Sequence, residues 1–505
     1  MKNKVVNIYL LVFFLSAGLW SCKKEFLELE PRGTELETSF YQTEEELFQA
    51  LVATYDVLQW SGTNGWTMKL GLLNAASDDC YAGGSDASDQ PSWVAYDNFN
   101  LDPFLGPQSG FWNKNYAGIY RANLLLEKIE EVPNISEAFK ARAIAEAKFL
   151  RAYFYFDLVR FFENVPLITN VLSADEIYTQ TQVTPSEVYA QIEQDLNDAR
   201  NTFELPSTVP PDELGRVTQG AVNALLGKVI LYQNDEARMT EAAQLFEEVI
   251  ASNVYGLETD YADIFRRDNE FGIESVFEIQ HSGNQRGGWE SFSNATEGNY
   301  DVQFFGMRDY VGPLYANGWS FCPVTEKLVE TMQGDPRYEH TIIDGNALKQ
   351  QGATYTVGYQ NTDYFIKKYA GLQEDRATDG EPALNWGYNV REIRYADVLL
   401  MAAEAYARAG GNDGKARSYI NQVRSRVGLQ PYLSTTGAAL LDAIYNERQL
   451  ELATEGHRFF DLVRTGRAVQ ELGDQGFMAN KSELLPIPQN EIDATAGLLK
   501  QNQGY

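Results

Sequence analysis

The sequence predicts a mainly α fold: one domain of repeat-type helix pairs, with long aromatic-rich loop insertions and minor β. Three patterns carry that expectation. Apolar residues recur at three- and four-residue steps along several long segments, the period of one helix face. Small Ala alternates with large apolar residues in neighbouring segments, which lets two helices approach closely. Two stretches rich in Gly, Ser, Asp and aromatics interrupt the helical pattern.

The elements follow in order. In residues 141–162 the apolar stripe runs through Ala147, Leu150, Phe154, Leu158 and Phe161, and Pro166 is expected to stop the helix. Thr184, Pro185 and Glu187 read as an N-cap, a first-turn proline and the return half of a capping box. Ile192, Leu196 and Ala199 continue that helix's inner face. Residues 218–233 and 240–251 form one helix pair, and residues 395–409 and 414–427 form another, broken at Gly410 and Gly411. The pairs are similar to tetratricopeptide repeats, although no fixed period survives. Stacked pairs present one face to partners; an ordinary helical core is the alternative. Residues 62–110 and 283–321 are the two insertions. Val276 to Gln280 alternates like a strand, and residues 354–357 and 364–366 are expected to form a small hairpin. Insertions of this length tend to carry function.

Composition excludes several classes. The 505 residues carry 41 basic and 71 acidic side chains, a formal charge of −30. Nucleic-acid binding needs Lys and Arg to displace counterions, so this balance argues against it. Three His disfavour a multi-His metal centre, and three Cys cannot build a disulfide scaffold. Cys80 and Cys322 are open to two readings, a long-range disulfide or two isolated thiols. No serine-hydrolase elbow, zinc-protease helix or Cys-x-x-Cys pair is present. Residues 410–415 resemble a phosphate loop, but the spacing fails and Ala416 replaces the metal-binding hydroxyl. The acidic residues at 78–79 and 86–89 lack the ordered spacing of a calcium loop. No enzyme activity, metal or cofactor is therefore predicted, and His457 reads as structural.

The first residues set the expected compartment. Lys2 and Lys4 precede an apolar run too short to span a bilayer, the pattern of a secretory signal. The run ends at Ser21-Cys22, which resembles a bacterial lipoprotein cleavage box, with Trp20 as a departure. The resemblance implies cleavage before Cys22 and lipidation of its thiol; the alternative is a buried Cys in an uncleaved anchor. Each buried acyl methylene contributes about 0.8 kcal/mol, so several chains hold a protein firmly. The expected organisation is a signal peptide at 1–21, a lipidated tether at 22–40 and a helical domain at 41–505. That domain divides into an N-terminal helical-repeat part, 41–270, and a C-terminal part, 271–505.

Several segments together resemble one family, the SusD/RagB-like outer-membrane lipoproteins of Bacteroidetes. They begin with the residues following Cys22, then Phe111-Trp112-Asn113 and the run from Glu146 to Phe156 with Asn164-Val165-Pro166-Leu167. Towards the end come Arg394-Tyr395-Ala396-Asp397, Glu447-Arg448, Glu451-Leu452 and the run from Glu455 to Leu462. Pro486-Ile487-Pro488 and the final five residues close the pattern, with Gln503 where the family usually has Pro. The resemblance implies a SusD-like single helical domain displayed at the cell surface. It implies a partner, a SusC-like TonB-dependent outer-membrane transporter, and a nutrient ligand. Most relatives bind glycans and some handle peptides. Signature segments around His457 then look like core.

The function expected is capture of an oligosaccharide or polysaccharide without bond cleavage. Trp and Tyr cover the C–H face of a sugar, and amides and carboxylates bond its hydroxyl rim. The candidates in the insertions are Trp66, Trp93, Trp289 and Trp319 for stacking, with Asp78, Asp79 and Asn98 as polar contacts. A peptide-binding uptake lipoprotein, a surface glycosidase and a repeat adaptor for protein alone are the competing classes. The negative charge favours neutral glycans over sulfated or uronic ones.

Overall fold

A computed structural model describes residues 40–61, 66–283, 288–289 and 297–505. The expected signal segment, and Cys22 with most of its tether, lie outside the described residues.

Local chemistry starts each helix. Helix α1 (Glu44–Asp56) opens on a closed capping box, in which Thr43 accepts from the Glu46 amide and Glu46 returns to the Thr43 backbone. Two short helices, α2 (Lys69–Ala75) and α3 (Pro91–Asp97), lie in the first insertion. Helices α4 (Gln108–Glu131) and α5 (Glu137–Phe162) then pack together. Their approach requires glycine at 118, because a Cβ there would stand 2.3 Å from the Phe154 ring. Helix α5 exceeds the predicted stripe. Tyr153, Tyr155 and Phe156 are buried along with Leu150 and Phe154, and Arg151 is held by Asp195. It ends at Phe162, where Glu163 turns left-handed at φ +61, before Pro166 is reached.

Helix α6 (Pro185–Arg200) carries the expected Thr184–Glu187 capping box. Helices α7 (Gln219–Tyr232) and α8 (Met239–Ala251) follow as a pair. Each helix from α4 to α8 packs on the next. The chain then leaves the array through strand β1 (Ser275–Ile279), the short helix α9 (Tyr300–Phe305), and strands β2 (Ile342–Asp344), β3 (Tyr364–Ile366) and β4 (Val390–Arg394). It returns in α10 (Tyr395–Ala409), which packs directly on α8, and continues with α11 (Asp413–Arg426), α12 (Gly437–Leu452) and α13 (Arg458–Arg464). Gly410 and Gly411 make the α10–α11 turn at φ +74 and +73. The helical array is therefore one stack assembled from both ends of the chain.

Strand β1 pairs antiparallel with β4 in a two-stranded sheet, so the chain enters α10 from a strand held in register by β1. One expected element is corrected. Strand β3 pairs with β2, matching Ile342 with Ile366, and residues 354–357 form no strand. Thr354 instead exchanges backbone hydrogen bonds with Val311, while Tyr355 meets β3 through its side chain, giving its hydroxyl to Asp363 and packing edge-on to Phe365.

The signature residues form a buried charge network. Arg394 bonds Glu274 (2.7 Å), Glu451 (2.6 Å) and Glu455 (2.8 Å); Arg337 bonds Glu447 and Glu451 at 2.8 and 2.9 Å. Arg426 adds Glu274 and Glu451, and Lys368 adds Glu455. His457 is buried beside them, and burial followed by the charge of Lys228 lowers it to about 4. Cys80 and Cys322 are both buried free thiols. Cys322 donates to the Gly71 carbonyl, and burial pushes both thiols up.

Candidate functional site

The first and second insertions meet in a single cluster of indoles. Trp66 stands edge-on to Trp319 (5.6 Å between centroids) and to Trp289 (6.3 Å), while Trp289 and Trp319 stack at 6.1 Å. Trp289 is 49% exposed, and Trp66 and Trp319 are half-buried. An aromatic group of this size facing solvent is uncommon in a folded protein unless something is to be bound there.

Backbone pairing makes the surface rigid. The amides of Gly318, Trp319, Ser320 and Phe321 donate to the carbonyls of Met307, Gln303, Gly306 and Phe304. The two segments touch at glycine: a Cβ on Gly318 would stand 2.3 Å from the Gly306 Cα. Behind Phe321 the chain at Gly83 forms a further bridge, and Val324 pairs with Cys80 in the same manner. Trp66 and Ser320 both take left-handed backbone, φ +59 at each. For a residue as large as Trp that conformation is strained, and such strain persists where the surroundings over-determine it.

A second aromatic layer supports the first. Phe304 lies 5.2 Å from Trp66 and 5.1 Å from Trp319, and is stacked 5.2 Å from Trp93 and 4.5 Å from Phe321. Tyr300 stands edge-on to Trp66 at 5.6 Å. Trp93 is 0% exposed, and its Nε1 donates to the Trp66 carbonyl at 3.1 Å. It fixes the backbone of an exposed indole from below.

The seven predicted ligand-binding residues are thus divided. The structure brings together Trp66, Trp289 and Trp319 at the surface. Trp93 is the correction among the indoles: sealed inside, it positions Trp66 and has no face left for a ligand. Asp78 and Asp79 are also buried. Asp78 takes a bidentate bond from Arg458 (2.7 and 2.9 Å) and a further one from Lys327, and these charges, against the push of burial, keep its carboxyl below the usual range. Asp79 accepts the Thr454 amide, and burial with the neighbouring Asp78 charge lifts it to about 6. This pair pins the first insertion to the chain before α13. Asn98 is exposed, but its amide is spent on the Val94 carbonyl at the end of α3.

Two residues of the site escape sequence reasoning. Phe304 is one of many aromatics in the second insertion, and no sequence signal separates a supporting ring from an exposed one. Arg308 donates to the Trp319 carbonyl (2.9 Å) and reaches Asp89 at 3.4 Å, while its Nε is buried with no partner. It sets a polar donor beside the indoles. Neither a nucleophile paired with a base nor a pair of facing carboxylates accompanies them among the described residues. The arrangement offers flat apolar faces with a polar flank, which is what a binding surface needs.

A rigid helical-repeat body that presents an indole surface on inserted loops defines a class of ligand-capture protein. Comparison with known proteins makes this specific. The SusD family model matches residues 273–480, and a model described as starch-binding and associating with the outer membrane matches residues 25–231. A SusD-like protein of Formosa agariphila is 27% identical over 99% of this chain and 100% of its own length. A laminarin-binding SusD-like protein of known structure is 42% identical, with TM-score 0.86 over 92% of this chain and 100% of that one. Surface glycan-binding protein A of Bacteroides thetaiotaomicron, solved with laminarihexaose, is 30% identical, with TM-score 0.83 over 91% of this chain and 99% of that one. The chain belongs to the SusD/RagB family. Its relatives of stated role are binding proteins and not enzymes.

Proposed function

We propose that this protein captures a neutral glycan at the cell surface on the Trp66–Trp289–Trp319 cluster. From there it passes the glycan to a SusC-like TonB-dependent transporter in the outer membrane. The observation that carries the reading is the convergence of three indoles from two distant insertions on one solvent-facing site. The stacked indoles of Trp289 and Trp319 offer an apolar platform that suits the C–H face of a sugar, and Arg308 with Asp89 supplies a polar flank. Laminarin is the first ligand to test, because it and laminarihexaose accompany two of the structural relatives. The charge of −30 disfavours an anionic polysaccharide. Lipidation at Cys22 would tether the protein, leaving the helical domain outside the membrane.

Calorimetry with laminarihexaose and a panel of other neutral oligosaccharides tests the ligand. Saturable binding that falls in Trp289→Ala and Trp319→Ala supports the reading; unchanged affinity in both folded variants overturns the site. For the tether, Cys22→Ala is expected to move the protein from the membrane pellet to the soluble fraction.

A further inference from the structure

A second cavity, sharing no residue with the indole surface, has the chemistry of a saccharide site. It encloses about 490 Å³ between the C-terminal ends of α5 and α7, the first turns of α6, helix α13 and the segment around residue 480. Its volume lies in the range of pockets that enclose small ligands.

Its walls hold polar groups that the fold does not use. Tyr189 and Tyr232 face the cavity, and neither hydroxyl has a hydrogen-bond partner among the described residues. Glu483 accepts the Asn480 amide with Oε1, while its Oε2 is closed off from solvent and unpartnered. The side-chain amides of Asn480 and Gln503 make no hydrogen bond among the described residues. Buried polar groups are almost always paired, so the idle hydroxyl of the buried Tyr232 and the idle Glu483 Oε2 beside one cavity point to a partner that arrives from outside, with the exposed amides of Asn480 and Gln503 at its rim.

The available groups also select the ligand. Arg464 is committed to Glu404 through two bonds of 2.6 and 2.8 Å, and Arg160 is committed to Asp157. Glu163 and Glu483 contribute uncompensated negative charge to the wall. An anion is therefore disfavoured, and a neutral molecule rich in hydroxyls fits: its O–H groups donate to the exposed Glu163 carboxylate and the amide oxygens, and accept from the amide N–H groups and phenols. Tyr189 makes no ring contact with another aromatic or a cation among the described residues, which leaves its face for the C–H side of a sugar. Glu163 and Asn480 hold left-handed backbone at φ +61 and +62, a strain found where local geometry is over-determined.

We infer that this cleft is a second binding site for a short neutral saccharide. Its ligand class rests on the glycan-capture reading, but its position does not. The test is calorimetric stoichiometry on the full helical domain, with laminarihexaose and the same neutral panel. Wild type is expected to bind two equivalents, and the double variant Trp289→Ala/Trp319→Ala one. Adding Asn480→Ala and Gln503→Ala, both exposed positions, to that double variant is expected to weaken the remaining site at least tenfold. Tyr189→Ala is the stronger perturbation, with circular dichroism checking its fold. One equivalent in wild type and none in the double variant overturns the cleft and leaves the indole surface standing. Loss of all binding from the cleft substitutions alone overturns the indole surface and leaves the cleft standing. If no member of the panel binds wild type, both readings fall.

Discussion

The network around Arg394 and the surface around Trp319 each put side chains where their type is uncommon. Charges lie inside, and large aromatics lie at the surface. Inside, desolvation makes each charge costly unless every partner is present, so the network tolerates no single loss. At the surface, an indole costs the fold little and remains available to a ligand. Residues that look equally conspicuous in the sequence thus serve opposite ends. Removing one kind costs stability, and removing the other costs binding.

The largest expected effect separates them directly. Arg394→Ala strands Glu274, Glu451 and Glu455 in the interior and is expected to cost about 3–5 kcal/mol, read by chemical denaturation. Trp93→Ala sharpens the contrast within the indoles themselves. The cavity left by a fully buried Trp costs about 3–5 kcal/mol, and binding falls as well because Trp66 loses its support. Trp289→Ala is expected to weaken laminarihexaose binding about tenfold or more, while stability stays within about 0.5 kcal/mol. Equal stability losses in Trp93→Ala and Trp289→Ala would remove the distinction between the two layers.

Acid tests the interior more gently. Burial holds His281 and His457 near 4, below the unfolded value of about 6.5. Their contribution is full above that value and is lost as pH falls from about 6.5 to 4. Burial lifts Asp301 to about 7 and Asp97 to about 6, and with Asp78 it lifts Asp79 to about 6. Raised carboxyls act in the opposite sense, adding stability as pH falls from about 7 towards 4. The two sets oppose each other and the three carboxyls outweigh the two imidazoles, so no loss of stability is expected across that window. Below it the sign is uniform. Against the push of burial, Arg448 and Arg464 hold Asp461 near 2, and Lys69 and Lys228 hold Glu392 near 2. Their stabilisation is present above about 4 and is lost as pH falls towards 2. Thermal unfolding from pH 7 to 2 reads the profile, and a steady decline beginning at pH 6.5 would contradict that balance. The smallest effect is expected at the exposed Arg266–Asp268 pair, where Arg266→Ala leaves the melting temperature unchanged.

Periodicity and capping chemistry made the helices legible, because both are local: Thr184 with Glu187, and Gly410 with Gly411, act within one turn. The insertions were legible as places for a site for the same local reason, since Gly and Pro break helices wherever they occur. The partners within them were not legible. Trp66 and Trp319 meet only because Gly306 and Gly318 let two segments touch, and Trp93 is covered only because Phe304 and Phe321 close over it. Thr354 looks in sequence like a hairpin partner of β3, yet its true partner, Val311, comes from a different segment. By itself, then, the sequence determined the helical array, the family and the loops that carry the aromatics. Only the tertiary structure decided which indoles face solvent, which carboxylates are spent on arginines, and which cavity keeps its polar groups idle. Burial is a property of contacts between segments far apart in the chain, and no local pattern records it.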